Sequence, residues 1–245
     1  MQDLEKVTNC ILGMGTVGNA FYYALLSKLS PEVVFTNDLE FKQCGHPIDI
    51  LHVCFGYNEK FVDNVLLWMK NYPCKELVIH STVKAGTTKL LQKKVGVPCI
   101  FSPFRGVHSR MVKDIQKYSM LYAVNNKMDD LLYPKILEFC GLKPKFWEQN
   151  TTSLELAKVL MGTTYYGWLI IFAQRVRLIA ERYNVDENKL WDFTEEIHEH
   201  LGNRPKMFSG EGIDGHCVLP NVELLDDLFL DMVFDHDKYY RKKLE

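Results

Sequence analysis

The chain has 245 residues, of which 47% are hydrophobic and 24% are charged, and its formal net charge is −2. This composition is typical of a globular protein and excludes a disordered chain, and the near-neutral charge gives no general attraction for nucleic acid or anionic lipid. We therefore expect a small-molecule substrate as the partner, with no nucleic acid and no membrane.

The chain start and the cysteines bear on location. The N-terminal segment MQDLEKVTN is charged where a secretory signal needs an apolar core, and no uninterrupted apolar run approaches the roughly 18 residues of a membrane span. None of the seven cysteines forms a C-x-x-C pair, and several lie in apolar, strand-like runs. A reducing compartment suits such cysteines, so we expect a cytoplasmic protein.

Up to residue 150, short β-rich runs alternate with helical patterns. The predicted strands are 7–12, 33–37, 50–55, 77–80, 99–102 and 121–124, and the predicted helices between them are 19–29, 60–70 and 87–94. Alternating strands and helices predict right-handed crossovers and a parallel sheet covered on both faces. We expect an α/β fold in which residues 1–150 form a Rossmann-type, doubly wound domain.

After residue 150 the pattern becomes all-helical. Helices are predicted over 151–184, 186–201 and 222–240, with a Gly- and Pro-rich loop over 202–221. A loop of that length in a compact domain is usually functional. The apolar length of the first helix exceeds what one small domain covers, so residues 151–245 are expected to form a helical substrate and dimerisation domain of a homodimer.

The segment CILGMGTVGNA, residues 10–20, contains the pattern G-x-G-x-x-G at Gly13, Gly15 and Gly18. It follows a predicted strand, opens a predicted helix, and precedes Asp38 by twenty residues, which is the context of a dinucleotide-binding turn. A plain tight turn with an unrelated acid is the alternative. Because Asp38 would repel a 2′-phosphate, NAD is favoured over NADP. The predicted cofactor residues in this part of the chain are Gly13, Met14, Gly15, Thr16, Val17, Gly18 and Asp38.

Three further stretches are STVKAGTT at 81–88, SLELAKVLMGTTYYG at 153–167 and GIDGHCVLPN at 212–221. Together, and in this order, they resemble the UDP-glucose/GDP-mannose dehydrogenase family over roughly residues 5–235. The resemblance implies an NAD-dependent oxidoreductase that acts on the CH–OH group of a sugar nucleotide such as UDP-glucose. Family members carry a further C-terminal α/β domain that binds the nucleotide of the substrate, and the sequence to Glu245 matches only the part before it.

The resemblance and the chemistry of the side chains single out three catalytic candidates. Cys217 is the expected nucleophile, which captures an aldehyde as a thiohemiacetal and then becomes a thioester. Lys158 would lower the pKa of that thiol or polarise the reacting oxygen. Thr82 would lie beside the nicotinamide or the substrate. The alternatives are a buried structural cysteine, a surface lysine paired with Glu155, and a threonine that merely ends a strand.

Three positions depart from the family pattern. Phe104 stands where the family has a glutamate, Gly162 replaces an asparagine, and Asn221 replaces an acid. The second oxidation step or the hydrolysis that follows is therefore open. One alternative function is a single-step β-hydroxyacid or sugar dehydrogenase that uses Lys158 alone, and another is a catalytically degenerate NAD-binding regulator. No metal site is expected.

Overall fold

The computed structural model describes residues 3–38, 47–126, 130–201, 210–214, 218–224 and 228–245. The chain forms two compact units that divide between Lys158 and Val159. The domain boundary predicted at residue 150 remains a prediction. Each unit is described by itself below.

The first unit is built on a seven-stranded sheet in the order β2-β1-β3-β4-β5-β6-β7. The strands are β1 (Asn9–Leu12), β2 (Val34–Asn37), β3 (Ile48–Val53), β4 (Cys74–Ile79), β5 (Cys99–Phe101), β6 (Met120–Val124) and β7 (Pro144–Phe146). Strands β1 to β5 are parallel, β6 is antiparallel to β5, and β7 is parallel to β6. This arrangement confirms the predicted doubly wound, mostly parallel sheet.

Helices cover both faces of the sheet. They are α1 (Thr16–Leu26), α2 (Phe61–Asn71), α3 (Thr87–Lys94), α4 (Met111–Lys117), α5 (Leu132–Phe139) and α6 (Thr151–Val159). One apolar cluster contains Phe21 of α1, Met111 of α4 and Ile136 of α5. A second cluster contains Phe61 of α2 and Leu91 of α3. The parallel strands are buried between these two layers, as expected for strands rich in Val, Ile and Leu.

Hydrogen bonds at its two ends show the direction of α6. At its start, the Thr151 hydroxyl donates to Oδ1 of Asn125 at 2.9 Å, and Asn125 directly follows the carboxyl end of β6. Because β6 is antiparallel to β5, this end lies at the amino-terminal edge of the parallel strands. At the other end of α6, Lys158 Nζ donates at 2.8 Å to the carbonyl of Phe104, which follows the carboxyl end of β5. Helix α6 therefore ends at the edge formed by the carboxyl ends of the parallel strands.

The second unit is helical. It contains a π-helical turn (Leu160–Thr164), α7 (Tyr165–Tyr183), α8 (Glu187–Asp192), α9 (Glu195–Leu201), α10 (Leu219–Val222) and α11 (Leu228–Leu244). Helices α7 and α11 are joined by the buried carboxylate of Asp237, which accepts from Gln174 Nε2 at 3.0 Å and from the Ile213 amide at 2.7 Å. Asp237 thereby attaches segment 210–214 to the helix pair.

The structure corrects several predicted elements. The predicted helix 151–184 is interrupted by the π-helical turn, in which the hydroxyls of Thr163 and Thr164 both donate to the Val159 carbonyl, at 2.7 and 3.0 Å. Segment 186–201 forms two helices, α8 and α9, and segment 222–240 falls on α10 and α11. Helices α4 and α5 and strand β7 were not predicted, because their short apolar patterns give little periodicity.

The helical run Thr151–Tyr183 is long and apolar enough by composition to cross a membrane, although it contains no uninterrupted apolar run of that length. A third of its most apolar stretch is buried in the protein. Core helices pass the same test, and Glu155 and Lys158 near the start of this run bind loops of the first unit. The expected absence of a membrane partner remains a prediction.

Candidate functional site

The turn between β1 and α1 requires glycine at two positions. Gly13 has φ = +90°, and a Cβ atom there would lie 2.7 Å from the Phe55 nitrogen. A Cβ atom on Gly18 would lie 1.9 Å from the Gly13 carbonyl oxygen. The first glycine therefore permits the tight turn, and the second lets α1 pack directly against it, as predicted from the sequence.

Gly15 has a different role, because its surroundings are open. It is the N-cap of α1, and no described heavy atom lies within 4 Å of the position that a Cβ would take. No described side chain caps this helix end, and its first turn carries no acidic residue. Met14, Thr16 and Val17 complete the turn. An exposed helix N-terminus with an open glycine fits the pyrophosphate of a dinucleotide.

Asp38 lies directly after β2, at the end of the second strand as predicted, and is exposed to solvent. The amide of Gly13 donates to the carbonyl of the preceding residue, Asn37, at 2.8 Å, so the turn and the end of β2 are held together. A carboxylate beside the turn fits the ribose diol of NAD. The seven residues predicted to bind the cofactor are thus neighbours at one edge of the sheet.

A hydrogen bond and a close contact connect this turn to the loop that contains Thr82. The Ser81 hydroxyl donates to the Phe55 carbonyl at 2.6 Å, and Phe55 is the residue against which Gly13 packs. Thr82 is half-buried next to Ser81. The loops that follow β3 and β4 therefore lie beside the glycine turn at the same edge of the sheet, which is where doubly wound folds bind ligands.

Helix α6 supplies two charged groups to this edge. The carboxylate of Glu155 is fully buried and accepts from the backbone amides of Gly86 at 2.6 Å and Thr88 at 2.9 Å. Lys158, one turn later and half-buried, donates to the Phe104 carbonyl at 2.8 Å. A fully buried Glu155 contradicts the alternative of an ordinary surface pair with Lys158. The contacts of Glu155 are the part of this edge that sequence reasoning missed.

Burial also perturbs the ionisation of Glu155. It raises the pKa of the carboxyl above its ordinary value, and the hydrogen bonds from Thr88 and Gly86 act in the opposite direction. These bonds come from the first residues of α3, whose N-cap Gly86 has a left-handed φ of +90°. Glu155 therefore caps a helix to which it is not adjacent in sequence.

A buried polar network lies beneath the same edge. His52 and His80 are within hydrogen-bond distance of each other, at 3.1 Å between Nδ1 and Nε2, and His52 also contacts Asn9 Oδ1 at 3.1 Å. His80 Nδ1 donates to the Ser102 carbonyl at 2.7 Å, and the Tyr133 hydroxyl donates to Ser102 Oγ at 2.7 Å. Burial lowers the pKa of His80 to about 4 and holds the pKa of His52 well below its usual range. Both rings are neutral near pH 7.

The departures from the family pattern have distinct structures. Phe104 is buried and its ring packs on His80 and Phe21, at centroid distances of 4.7 and 5.4 Å, so its side chain belongs to the core. Gly162 lies in the π-helical turn, a local form often found at functional sites, and Asn221 lies in α10. Two of the three positions thus lie in helical elements of the second unit, and the third packs in the core of the first.

Cys217 lies outside the described residues, so its predicted role stays a prediction. The described residues on either side of it belong to the second unit: Asp214 accepts from Arg241 at 2.8 Å, and Val218 packs so close to Gly167 that a Cβ there would lie 2.9 Å from it. Among the described residues, no group of three or more His, Cys, Asp or Glu side chains could hold a metal ion.

No protein-family model and no curated protein matches the chain. Solved structures do. A UDP-D-ManNAc dehydrogenase from Pyrococcus horikoshii aligns with a TM-score of 0.77 at 16% identity, covering 96% of this chain and 69% of that one. A UDP-glucose dehydrogenase from Pyrobaculum islandicum aligns with a TM-score of 0.71 at 15% identity, covering 98% and 69%.

A third solved structure is a 3-hydroxyisobutyrate dehydrogenase from Mycobacterium tuberculosis, with a TM-score of 0.63 at 14% identity, covering 97% of this chain and 93% of that one. At such identities the likeness concerns the fold. The Rossmann-type domain followed by a helical region is confirmed, as is the resemblance to sugar-nucleotide dehydrogenases at the level of the fold.

Proposed function

We propose that this protein is an NAD-dependent dehydrogenase that oxidises a sugar alcohol, and that its substrate is a nucleotide sugar such as UDP-glucose. The observation that carries the proposal is the presence of three groups at one edge of the sheet: the open turn at Gly15, the carboxylate of Asp38 and the amine of Lys158. The fold likeness to UDP-sugar dehydrogenases supports the substrate class.

The residues at this edge divide the work between binding and chemistry. The turn of residues 13–18 would hold the pyrophosphate, and Asp38 would accept hydrogen bonds from the ribose. NAD, when bound, supplies the acceptor for the hydride that leaves the carbinol carbon. Lys158 would polarise the reacting oxygen, and Thr82 would lie beside the nicotinamide or the substrate.

Cys217 is assigned from the sequence as the nucleophile of a second step. Its thiolate would add to the aldehyde carbon to form a thiohemiacetal, loss of a second hydride to a second NAD would leave a thioester, and water would then release the acid and the free thiol. In this scheme Cys217→Ala forms no acid. Unchanged acid output from that variant would exclude the cysteine mechanism.

The buried ring of Phe104 favours a second candidate, because it leaves that position without a carboxylate to assist thioester hydrolysis. The candidate is a single-step β-hydroxyacid or sugar dehydrogenase that depends on Lys158 alone. It predicts that Lys158→Ala is inactive while Cys217→Ala retains nearly full activity, and the opposite order would reject it. The fold likeness to a 3-hydroxyisobutyrate dehydrogenase supports it as well.

The deciding experiment counts the NADH formed per UDP-glucose by purified protein with excess NAD. Two NADH per sugar support the complete cysteine-dependent oxidation, and one supports a single-step enzyme. No NADH from UDP-glucose or from a panel of sugar nucleotides and hydroxyacids, with NAD still bound, would overturn both and favour a catalytically degenerate NAD-binding regulator.

We also propose a homodimer formed through α7. Tyr165, Phe172 and Ile179 recur every seven residues along this helix and are 46%, 60% and 44% exposed. Such spacing lines one helix face, and a second copy would bury it. Light scattering tests this, with Phe172→Asp expected to give a monomer. A cytoplasmic location is proposed from the free thiols of the five described cysteines.

A further inference from the structure

Helix α6 is attached to the candidate site by two charged side chains one turn apart. Glu155 binds the amides of Gly86 and Thr88 in the loop that follows β4, and Lys158 binds the Phe104 carbonyl in the loop that follows β5. Residues three apart lie on the same side of a helix. Whatever fixes Glu155 therefore also fixes the turn from which Lys158 extends.

The Glu155 contact is well suited to this task. Both carboxylate oxygens are occupied, one by each amide, and the side chain is fully buried. The N-cap residue Gly86 has no side chain, and no other described side chain caps α3. A charged acceptor at a helix N-terminus benefits from the helix dipole, so these hydrogen bonds are stronger than bonds between neutral groups.

We propose that Glu155 is a positioning residue: by binding the amides of Gly86 and Thr88, it holds Lys158 in the position from which its amine acts on the substrate. This inference rests on the function proposed above, and it adds a residue that does not itself touch the substrate. The proposed role of Glu155 is to position Lys158, whereas an ordinary structural carboxylate only stabilises the fold.

The chain offers a matched control in Glu76. This carboxylate is also buried, and it accepts from the amides of Leu132 at 2.5 Å and Tyr133 at 2.9 Å at the start of α5. Helix α5 has eight residues, as does α3, and Leu131 at its N-cap gives no side-chain cap. Glu76 lies near the beginning of β4, at the opposite edge of the sheet from Lys158.

The experiment compares Glu155→Gln with Glu76→Gln. In each variant the NH2 group of the new glutamine faces a backbone N–H that had donated to the carboxylate. One hydrogen bond is therefore lost, and both proteins lose thermal stability. Only Glu155→Gln is expected to weaken the hydrogen bond from Lys158 to the Phe104 carbonyl. Competitive acetylation with acetic anhydride, read by mass spectrometry of the Lys158 peptide, measures this without cofactor or substrate.

We expect acetylation of Lys158 to accelerate about fivefold in Glu155→Gln and to stay at the wild-type rate in Glu76→Gln; a fivefold change corresponds to ~1 kcal/mol. Equal Lys158 rates in the two variants would overturn the proposal. If Glu155→Gln does not fold, Glu155→Asp, which keeps the charge on a shorter side chain, is read in the same way against Glu76→Asp.

Turnover separates this inference from the proposed function. With an active wild type, Glu155→Gln is expected to lower kcat at least tenfold while the KM for NAD changes less than about twofold, because the glycine turn is untouched. Unchanged kcat despite faster acetylation would overturn the positioning role. A wild type without dehydrogenase activity, together with the acetylation difference, would reject the proposed function and leave the attachment of Lys158 by Glu155 supported.

Discussion

Gly15→Ala separates folding from cofactor binding at the same residue. The backbone of Gly15 has φ = −68° and ψ = −168°, which alanine adopts without strain, and no described heavy atom lies within 4 Å of the added Cβ. Reduced entropy of the unfolded chain favours the alanine by ~0.4–1 kcal/mol, and its poorer N-cap preference offsets a similar amount. The free energy of unfolding should therefore change by less than about 1 kcal/mol.

Cofactor binding should respond differently. The space beside Gly15 is open. In the proposed function a pyrophosphate would approach the backbone there, and a methyl group would keep its oxygens from the amides of the α1 N-terminus. We expect the Kd for NAD to rise at least tenfold, or ~1.4 kcal/mol. For a chain of this length, a stability change below ~1 kcal/mol corresponds to a Tm shift within about 4 °C.

The assay is calorimetric titration with NAD, accompanied by thermal unfolding without ligand. Gly96→Ala is the control, because Gly96 also has no described heavy atom within 4 Å of its Cβ position and lies just before β5, at the opposite edge of the sheet. It should leave both the Kd and the Tm near wild type. A wild-type Kd in Gly15→Ala would show that the turn does not bind the dinucleotide, and the reasoning would fail.

Three further predictions concern the same unit. Gly18→Ala places a Cβ 1.9 Å from the Gly13 carbonyl oxygen, so urea unfolding should show a loss of about 2–3 kcal/mol, and an unchanged midpoint would contradict the close packing. Asp38→Ala removes the negative charge that is proposed to lie beside the ribose, so the preference for NAD over NADP should fall about tenfold in paired titrations. Burial holds the folded-state pKa of His80 at about 4, against an ordinary 6.5. The contribution of neutral His80 to the free energy of unfolding is therefore complete above pH 6.5 and is lost as the pH falls towards 4, by about 2 kcal/mol at pH 5. His80→Asn lacks this contribution. Urea unfolding at pH 7.5 and pH 5 should show the difference, and equal losses in both proteins would refute it.

The doubly wound sheet and its glycine turn were predictable, because their signals are local. A strand, a G-x-G-x-x-G turn and a helix follow one another within twenty residues, and the steric demands on Gly13 and Gly18 come from that short segment and the adjacent strand. Helix α5 was not predictable in the same way. Its N-terminus is capped by Glu76, which is 56 residues away from Leu132, so the stabilising contact leaves no mark in the local sequence.

The candidate site divides along the same line. Lys158 was predicted from the family resemblance and Asp38 from its spacing after the glycine turn, whereas the contacts of Glu155 span 67 and 69 residues. The sequence alone therefore suggested only an ordinary helical salt bridge for Glu155. The spacing in the sequence puts Glu155 on one helix face with Thr151 and Val159, four residues to either side, and the structure shows that all three are fully buried. A charged residue on the apolar face of a helix indicates a buried partner.

The position of α6 has a consequence for exchanging segments between related proteins. This helix begins the long helical run of the sequence, yet through Lys158 it belongs to the first unit. A recombination junction at residue 150 would join the α6 of one parent to the loops of another and would leave Gly86 and Thr88 facing a carboxylate selected for different loops. A junction just after Lys158 keeps Glu155 in the same parent as the α3 N-terminus that it caps. Chimeras divided there should therefore retain a correctly assembled sheet edge.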